Sequence, residues 1–78
     1  MFKLMIVEDE PLIRAGLHHY FRWEELGVHK IVEAGNGAEG IDVALRERPD
    51  LVITDIRMPE VDRLEMIEKL RSALPETL

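Results

Sequence analysis

Two short hydrophobic runs in this chain each end at acidic residues. The first run, Phe2 to Val7, is followed by Glu8 and Asp9, and the second, Leu51 to Thr54, is followed by Asp55. In an open parallel sheet, ligands bind outside the carboxyl ends of the strands. If the two runs are neighbouring parallel strands, the three carboxylates converge on one crevice. Crowded carboxylates take up protons or bind a cation, and an oxygen-only cluster suits Mg²⁺.

Length, charge and composition restrict the class of protein. Seventy-eight residues form one small domain, and a formal net charge of −6 argues against nucleic acid as a direct partner of this segment. The chain has no Cys, which excludes disulfides and thiolate metal sites. No apolar run approaches the length that spans a membrane, and no signal peptide is evident at the N-terminus. We therefore expect a cytoplasmic protein with no membrane contact.

Strand-like runs alternate with segments of helical periodicity through the whole chain. The predicted strands are Phe2 to Val7, about His29 to Ala34, and Leu51 to Asp55. This alternation predicts an α/β fold with right-handed crossovers and a parallel sheet in the order 2-1-3. Lys30 and Glu33 place charges inside the second strand, which favours an edge position.

Capping residues and prolines mark the ends of three predicted helices. Pro11 suits the first turn of helix 1, and that helix, or a short turn after it, stops by Gly27. In the next two helices a polar residue is followed three positions later by a glutamate, as in a capping box: Asn36 with Glu39, and Asp62 with Glu65. Prolines end these two helices: Pro49 and Pro75.

Helical spacing of apolar residues predicts the faces of these helices. In helix 1 the spaced residues are Leu12, Ile13, Leu17, Tyr20 and Phe21. The buried face predicted for helix 2 consists of Ala38, Ile41, Ala44 and Leu45. That of helix 3 consists of Leu64, Ile67, Leu70 and Leu74.

Several of these segments together resemble the receiver domain of bacterial two-component response regulators. The resemblance lies in residues 6–11 (IVEDEP), 33–37 (EAGNG), 50–59 (DLVITDIRMP) and 64–67 (LEMI). An acidic pair after strand 1 is weak evidence alone, whereas its combination with Asp-x-x-Met-Pro after strand 3 is strong. Residues 11–17 and 23–27 look most like receivers joined to AraC-type DNA-binding domains.

The resemblance implies a flavodoxin-like (CheY-like) fold and a phosphoacceptor rather than an enzyme. Asp55 would accept a phosphoryl group from a phosphohistidine on a sensor histidine kinase. Asp9 would bind Mg²⁺ directly, Glu8 would do so through water, and the backbone carbonyl of Arg57 would supply another ligand. In-line transfer to a carboxylate needs such a cation to neutralise the phosphoryl oxygens.

Two departures from the family pattern affect these expectations. Arg63 stands where the family usually has Gly, and nothing in the sequence explains it. Family receivers also continue for two more strand–helix units, which carry a Thr or Ser and a Lys that complete the switch. Residues 1–78 are therefore expected to be a truncated receiver with the first three units only. The alternative function is an inactive receiver fragment that acts by self-association.

Self-association is predicted from the third strand. Leu51 to Thr54 read as an interior strand, yet nothing after them in the sequence is predicted to cover their far edge, and exposed strand edges pair with other chains. A homodimer through this strand and helix 3 is expected. A small phosphatase with Asp55 as nucleophile is disfavoured, because Arg57 stands where a second acid would be needed. The simplest non-functional explanation is that the acids only cap helices at a solvated rim.

Overall fold

The computed structural model describes residues 2–54 and 60–78, with side chains after residue 60 described from Arg63 onward. Three strands alternate with three helices, as predicted. The strands are β1 (Phe2–Val7), β2 (Val28–Ala34) and β3 (Leu51–Thr54). The helices are α1 (Pro11–Tyr20), α2 (Gly37–Glu47) and α3 (Glu60–Ala73), with a short 3₁₀ helix at Trp23–Leu26 before β2.

All three strands are parallel and lie in the order β2-β1-β3. The predicted α/β topology is therefore confirmed, with β1 in the centre and the charged strand β2 at an edge. Val7, the last residue of β1, pairs with Ala34 on one side and with Thr54 on the other. The three strands consequently end at the same level, which defines one carboxyl edge of the sheet.

The continuous apolar run of β1 is explained by burial on both faces of the sheet. Leu4, Met5 and Ile6 are all 0% exposed. Met5 and Val7 face the side covered by α2 and α3, whereas Leu4 and Ile6 face the side covered by α1 and the 3₁₀ helix. The helices therefore lie on both faces of the sheet.

The predicted helix ends are largely confirmed. Pro11 occupies the first turn of α1, and the side chain of Asn36 accepts a hydrogen bond from the N–H of Glu39 at 2.8 Å. Gly27 ends the 3₁₀ helix with a φ of 87°, a left-handed conformation that glycine adopts without strain. After α2, Arg48 adopts a similar conformation with a φ of 50° just before Pro49.

The buried face predicted for α2 is correct at Ala44 and in part at Ile41, but it is wrong at Ala38 and Leu45. Residues that the structure buries there are Gly37, Gly40, Val43 and Ala44, with Ile41 half-buried, whereas Ala38 and Leu45 are exposed. The cause is a close approach of the helix to its neighbours at Gly40. A β-carbon added to Gly40 would lie 2.9 Å from the sulfur of Met66 and 3.4 Å from Cγ2 of Val7. The line of contact therefore runs through the glycine.

The predictions for α3 are also corrected. The helix begins at Glu60, so Asp62 lies in its first turn instead of capping it. Acidic residues favour the first turn as well as the cap, so the same sequence pattern fits the earlier start. Met66 and Leu70 are on the buried face, with Ile67 half-buried, whereas Leu64 is 46% exposed. Leu74 is also buried, but it lies directly after the helix.

The prediction that nothing covers the outer edge of β3 is wrong at the start of the strand. The N–H of Leu78 donates to the carbonyl of Asp50 at 2.9 Å, and the N–H of Val52 donates to the carbonyl of Leu78 at 2.7 Å. This is the hydrogen-bond pattern of a parallel ladder. The Thr77 hydroxyl also donates to the carbonyl of Pro49 at 2.7 Å. The turn after α3 thus returns the chain to the start of β3.

Within residues 2–54 and 60–78, no helix has the length and apolar character needed to cross a membrane.

Candidate functional site

Glu8 follows β1 directly, and its side chain is the most deeply buried charged group among the described residues. It is 1% exposed, and its N–H continues the sheet by donating to the carbonyl of Ala34 at 3.0 Å. The carboxylate accepts a hydrogen bond from the N–H of Glu10 at 3.3 Å. Burial of a carboxylate is costly unless polar or cationic groups contact it, which makes Glu8 a candidate residue of the site.

Asp9 and Glu10 differ from Glu8 in being exposed. Glu10 is the N-cap of α1, and its carboxylate accepts from the N–H of Leu12 at 3.4 Å. Asp9 therefore lies between a buried acid and a capping acid, at the point where the chain leaves the sheet. Of the two predicted metal ligands in this turn, one is enclosed by the protein and the other is open to solvent.

Asp55 and Arg57, which were predicted to complete the site, lie outside the described residues. The structure does describe the end of β3, where Thr54 pairs with Val7. Glu8 follows Val7 in the sequence as Asp55 follows Thr54. The prediction that their strands are parallel neighbours is thus confirmed, while the convergence of all three carboxylates stays a prediction.

The donor chemistry of the described part of the site fits Mg²⁺. Glu8 and Asp9 offer only carboxylate oxygens, the hard ligands that this ion prefers. In the described part of the chain, no three His, Cys, Asp or Glu residues are grouped closely enough to hold a metal ion. The two acids of the β1–α1 turn would accordingly need a further ligand, and Asp55 is the residue predicted for that role.

Sequence reasoning missed an ionic cluster behind this turn. Arg14 of α1 donates from Nη1 to the backbone carbonyl of Glu8 at 2.8 Å and from Nε to Oε1 of Glu33 at 3.1 Å. The other oxygen of Glu33 lies 2.7 Å from Nδ1 of His18. A signal was present in the sequence, since Glu33 is an acid inside an edge strand. Only the crossover of the chain brings Arg14 and His18 to it.

A second cluster lies at the opposite, amino end of the sheet. Lys3 donates from Nζ to the backbone carbonyl of Glu47 at 2.8 Å, and its Nζ lies 3.5 Å from the carboxylate of the same residue. Lys30 of β2 lies 3.1 Å from that carboxylate. Hydrogen bonding and charge attraction from Lys30, with a smaller contribution from Lys3, lower the pKa of Glu47. Each end of β1 is therefore tied to a helix by a cation that binds a backbone carbonyl.

Comparison with protein families gives one match over nearly the whole chain. Residues 4–77 match the response regulator receiver domain. A putative transcriptional regulator of Pseudomonas aeruginosa is 43% identical over 77 residues, which are 99% of this chain and 36% of that protein. The transcriptional regulatory protein YesN of Bacillus subtilis is 37% identical over 75 residues, which are 96% of this chain and 20% of that protein.

Solved structures give the same result. The receiver domain of AraT, a response regulator from Geobacillus stearothermophilus, superposes with a TM-score of 0.85 and 35% identity over 95% of this chain and 57% of that one. The two-component transcriptional regulator AraC from Clostridium phytofermentans gives a TM-score of 0.89 and 32% identity over 99% of this chain and 60% of that one. The chain thus spans about three fifths of each.

These neighbours confirm the flavodoxin-like fold and the likeness to receivers of AraC-type regulators. Receiver domains are regulatory modules of two-component signalling and act with sensor histidine kinases. With the family match over residues 4–77, the chain belongs to the response regulator receiver domain family.

Proposed function

We propose that this chain is a Mg²⁺-dependent phosphoacceptor module that works in the bacterial cytoplasm and receives a phosphoryl group on Asp55 from a sensor histidine kinase. The observation that carries the proposal is the buried carboxylate of Glu8, which follows β1 where this strand ends level with β3. The membership of the family supports the same function.

The proposed reaction is a transfer between two side chains. An oxygen of the Asp55 carboxylate attacks the phosphorus of the phosphohistidine, the phosphorus–nitrogen bond breaks, and the electron pair stays on the imidazole of the kinase. The product is an acyl phosphate on Asp55. Because the transferred phosphoryl group and the accepting carboxylate are both anionic, the step depends on the positioning of the two groups and on neutralisation of their charge. Glu8, Asp9, Asp55 and the carbonyl of Arg57 would hold Mg²⁺, which supplies that neutralisation when bound.

Glu8 and Asp9 have different tasks in this proposal. Burial of Glu8 and its hydrogen bond with the N–H of Glu10 fix the position of the turn at the end of β1. Asp9 is exposed and so remains accessible to an ion that arrives from solvent. Asp9→Ala is accordingly expected to remove Mg²⁺ binding.

The experiment uses two aspartates that flank the same strand. The chain is incubated with acetyl phosphate and Mg²⁺, and its intact mass is measured. We expect one added phosphoryl group in the wild type and in Asp50→Asn, and none in Asp55→Asn. Asp50 precedes β3 and accepts a hydrogen bond from the N–H of Lys3, so it controls for loss of a carboxylate at the strand. Phosphorylation that survives in Asp55→Asn would contradict the proposal.

A second candidate function is self-association through β3 and α3. The favouring observation is a hollow that is lined mainly by apolar side chains of these elements, among them Val52, Ile67 and Leu70. Leu78 already bonds to the start of β3, so a second copy would seat on the hollow and the later part of the strand. Sedimentation equilibrium tests this by comparing the molecular mass of the Ile67→Lys and Leu64→Lys variants. Ile67→Lys should dissociate the dimer because Ile67 lines the hollow, whereas Leu64→Lys, at an exposed residue of the same helix, should not. A monomeric wild type would exclude it.

A further inference from the structure

We infer that Arg14 is a positioning residue for the proposed metal site, because it holds the Glu8–Asp9 turn against β2. This inference rests on the proposed function. Arg14 bonds to two acceptors, the backbone carbonyl of Glu8 at 2.8 Å and the carboxylate of Glu33 at 3.1 Å. Its side chain is 25% exposed, so most of it is enclosed between α1 and the sheet.

The bond to the carbonyl of Glu8 acts on Asp9 through the geometry of the backbone. A peptide unit is planar, so fixing the carbonyl oxygen of Glu8 also fixes the plane that contains the nitrogen and Cα of Asp9. The N–H of Glu8 is held on the other side by the carbonyl of Ala34 at 3.0 Å. Both ends of Glu8 are therefore tied, and the direction in which the chain enters Asp9 is set by Arg14.

The guanidinium is held by its two acceptors and lies close to Gly35. Glu33 accepts from it with one oxygen, while the other oxygen of Glu33 lies 2.7 Å from Nδ1 of His18. A β-carbon added to Gly35 would lie 3.2 Å from Nη1 of Arg14, so the absence of a side chain at this position leaves room for the guanidinium. The cluster thus connects α1, β2 and the turn before α2 to the acidic turn. A fully exposed ion pair at the surface would lack these neighbouring groups.

An electrostatic role and a positioning role of Arg14 predict opposite changes in Mg²⁺ affinity when the residue is replaced. A guanidinium near a cation site repels the cation, so a purely electrostatic role predicts tighter Mg²⁺ binding when the positive charge is removed. A positioning role predicts weaker binding, because residues that orient metal ligands typically contribute about 10–100-fold to metal affinity. The sign of the change therefore separates the two roles.

Lys3 offers a matched control at the other end of β1. Its side chain is also 25% exposed, and it too donates to the backbone carbonyl of a glutamate, Glu47, at 2.8 Å. Lys3→Met removes the same charge and the same type of hydrogen bond as Arg14→Met. Any general effect of a lost ion pair on stability is therefore shared, whereas an effect on the acidic turn belongs to Arg14 alone.

The experiment measures Mg²⁺ affinity and backbone hydrogen exchange in the wild type and three variants of the full chain. Mg²⁺ is titrated and followed by the NMR shifts of the Glu8 and Glu10 amides. We expect Arg14→Met to raise the Kd for Mg²⁺ by about 10-fold or more and Lys3→Met to change it by less than about 2-fold. Arg14→Lys keeps the charge but replaces the planar guanidinium, whose Nη1 and Nε bind separate acceptors, with a single nitrogen, so its Kd should fall between those of the wild type and Arg14→Met.

Hydrogen exchange gives a readout that needs no metal. The N–H groups of Glu8 and Glu10 both donate hydrogen bonds within the turn region, to Ala34 and to Glu8 respectively. We expect them to exchange faster in Arg14→Met and at wild-type rates in Lys3→Met. Unchanged exchange in Arg14→Met, or tighter Mg²⁺ binding, would overturn the inference. A wild type that binds no Mg²⁺ would instead defeat the proposed function, while the exchange rates would still decide whether Arg14 positions the turn.

Discussion

The two faces of the sheet are packed in different ways. On one face, α2 and α3 contact each other as well as the sheet, and their buried residues, including Val43 and Met66, join Met5 and Val7 in one core. On the other face, α1 lies over Leu4 and Ile6, yet no residue of α1 is fully buried. The first face is closed by apolar packing, and the second is only partly covered by the described residues.

Polar contacts compensate for the weaker apolar packing of α1. Arg14 and His18 near the middle and end of the helix bind Glu33 of β2. After the helix, the indole N–H of Trp23 donates to the carbonyl of Leu17 at 3.1 Å. Thus α2 and α3 contribute mainly to stability, whereas α1 is held by directional bonds that also fix the acidic turn. Substitutions on the two faces should therefore have unequal effects.

The largest expected difference is between Met66→Ala and Leu12→Ala. Met66 is 1% exposed on the closed face, and removal of such a side chain typically costs about 2–5 kcal/mol. Leu12 is 81% exposed on α1, and its truncation should change the free energy of unfolding by about 0.5 kcal/mol or less. Urea unfolding followed by circular dichroism measures both. Met66→Leu, which conserves volume, should cost less than about 1.5 kcal/mol. Equal losses for Met66→Ala and Leu12→Ala would contradict the comparison.

An intermediate effect is expected when each of two helical glycines is replaced by alanine, and the two changes in stability should have opposite signs. Gly16 in α1 has no atom within 4 Å of an added β-carbon, so Gly16→Ala should stabilise the protein by roughly 0.5–1 kcal/mol. A β-carbon added to Gly40 in α2 would lie 2.9 Å from the sulfur of Met66, and overpacking of this kind costs about 1–3 kcal/mol, which exceeds the helical gain. Thermal melts test this, because the Tm should rise in Gly16→Ala and fall in Gly40→Ala. Stabilisation by both substitutions would show that the closed face has free space.

The smallest expected effect concerns the ionic tie between α2 and the sheet. The pKa of Glu47 is lowered from its ordinary value of 4.5, chiefly by Lys30. Because the unfolded chain binds this proton more readily than the folded one, the contribution to stability is present above that value and is lost as the pH falls through the lower folded pKa. Glu47→Gln should therefore flatten the acid side of a plot of stability against pH.

Glu65→Gln is the control for this measurement. Glu65 forms an exposed pair with Lys69 at 3.2 Å on α3, and exposed pairs of this kind contribute little to stability. An identical change in the acid profile of both variants would mean that Glu47 contributes only its charge and not its contacts.

Local sequence patterns were sufficient for the elements and for the sheet. The continuous apolar run of β1 predicted a central strand, and the charges of β2 predicted an edge, because burial on both faces excludes unpaired charge. Asn36 and Gly27 predicted a helix start and a helix end, because capping depends on the conformation of neighbouring residues. The positions of Glu8 and Asp9 at the end of a parallel strand followed from the same reasoning.

Only the tertiary structure decided which helix faces are buried and what surrounds the acidic turn. The approach of α2 at Gly40 shifted its contact line, since periodicity gives the spacing of a face and not the distance to its neighbours. Likewise, Leu78 reaches the edge of β3 and Arg14 reaches Glu33 through the folded chain. Leu78 contacts Asp50 and Val52, which lie 28 and 26 positions before it, and Arg14 contacts Glu33, which lies 19 positions after it. Local propensity does not encode contacts over such separations. The sequence alone determined the fold and the candidate ligands, whereas the packing of the helices determined how those ligands are held.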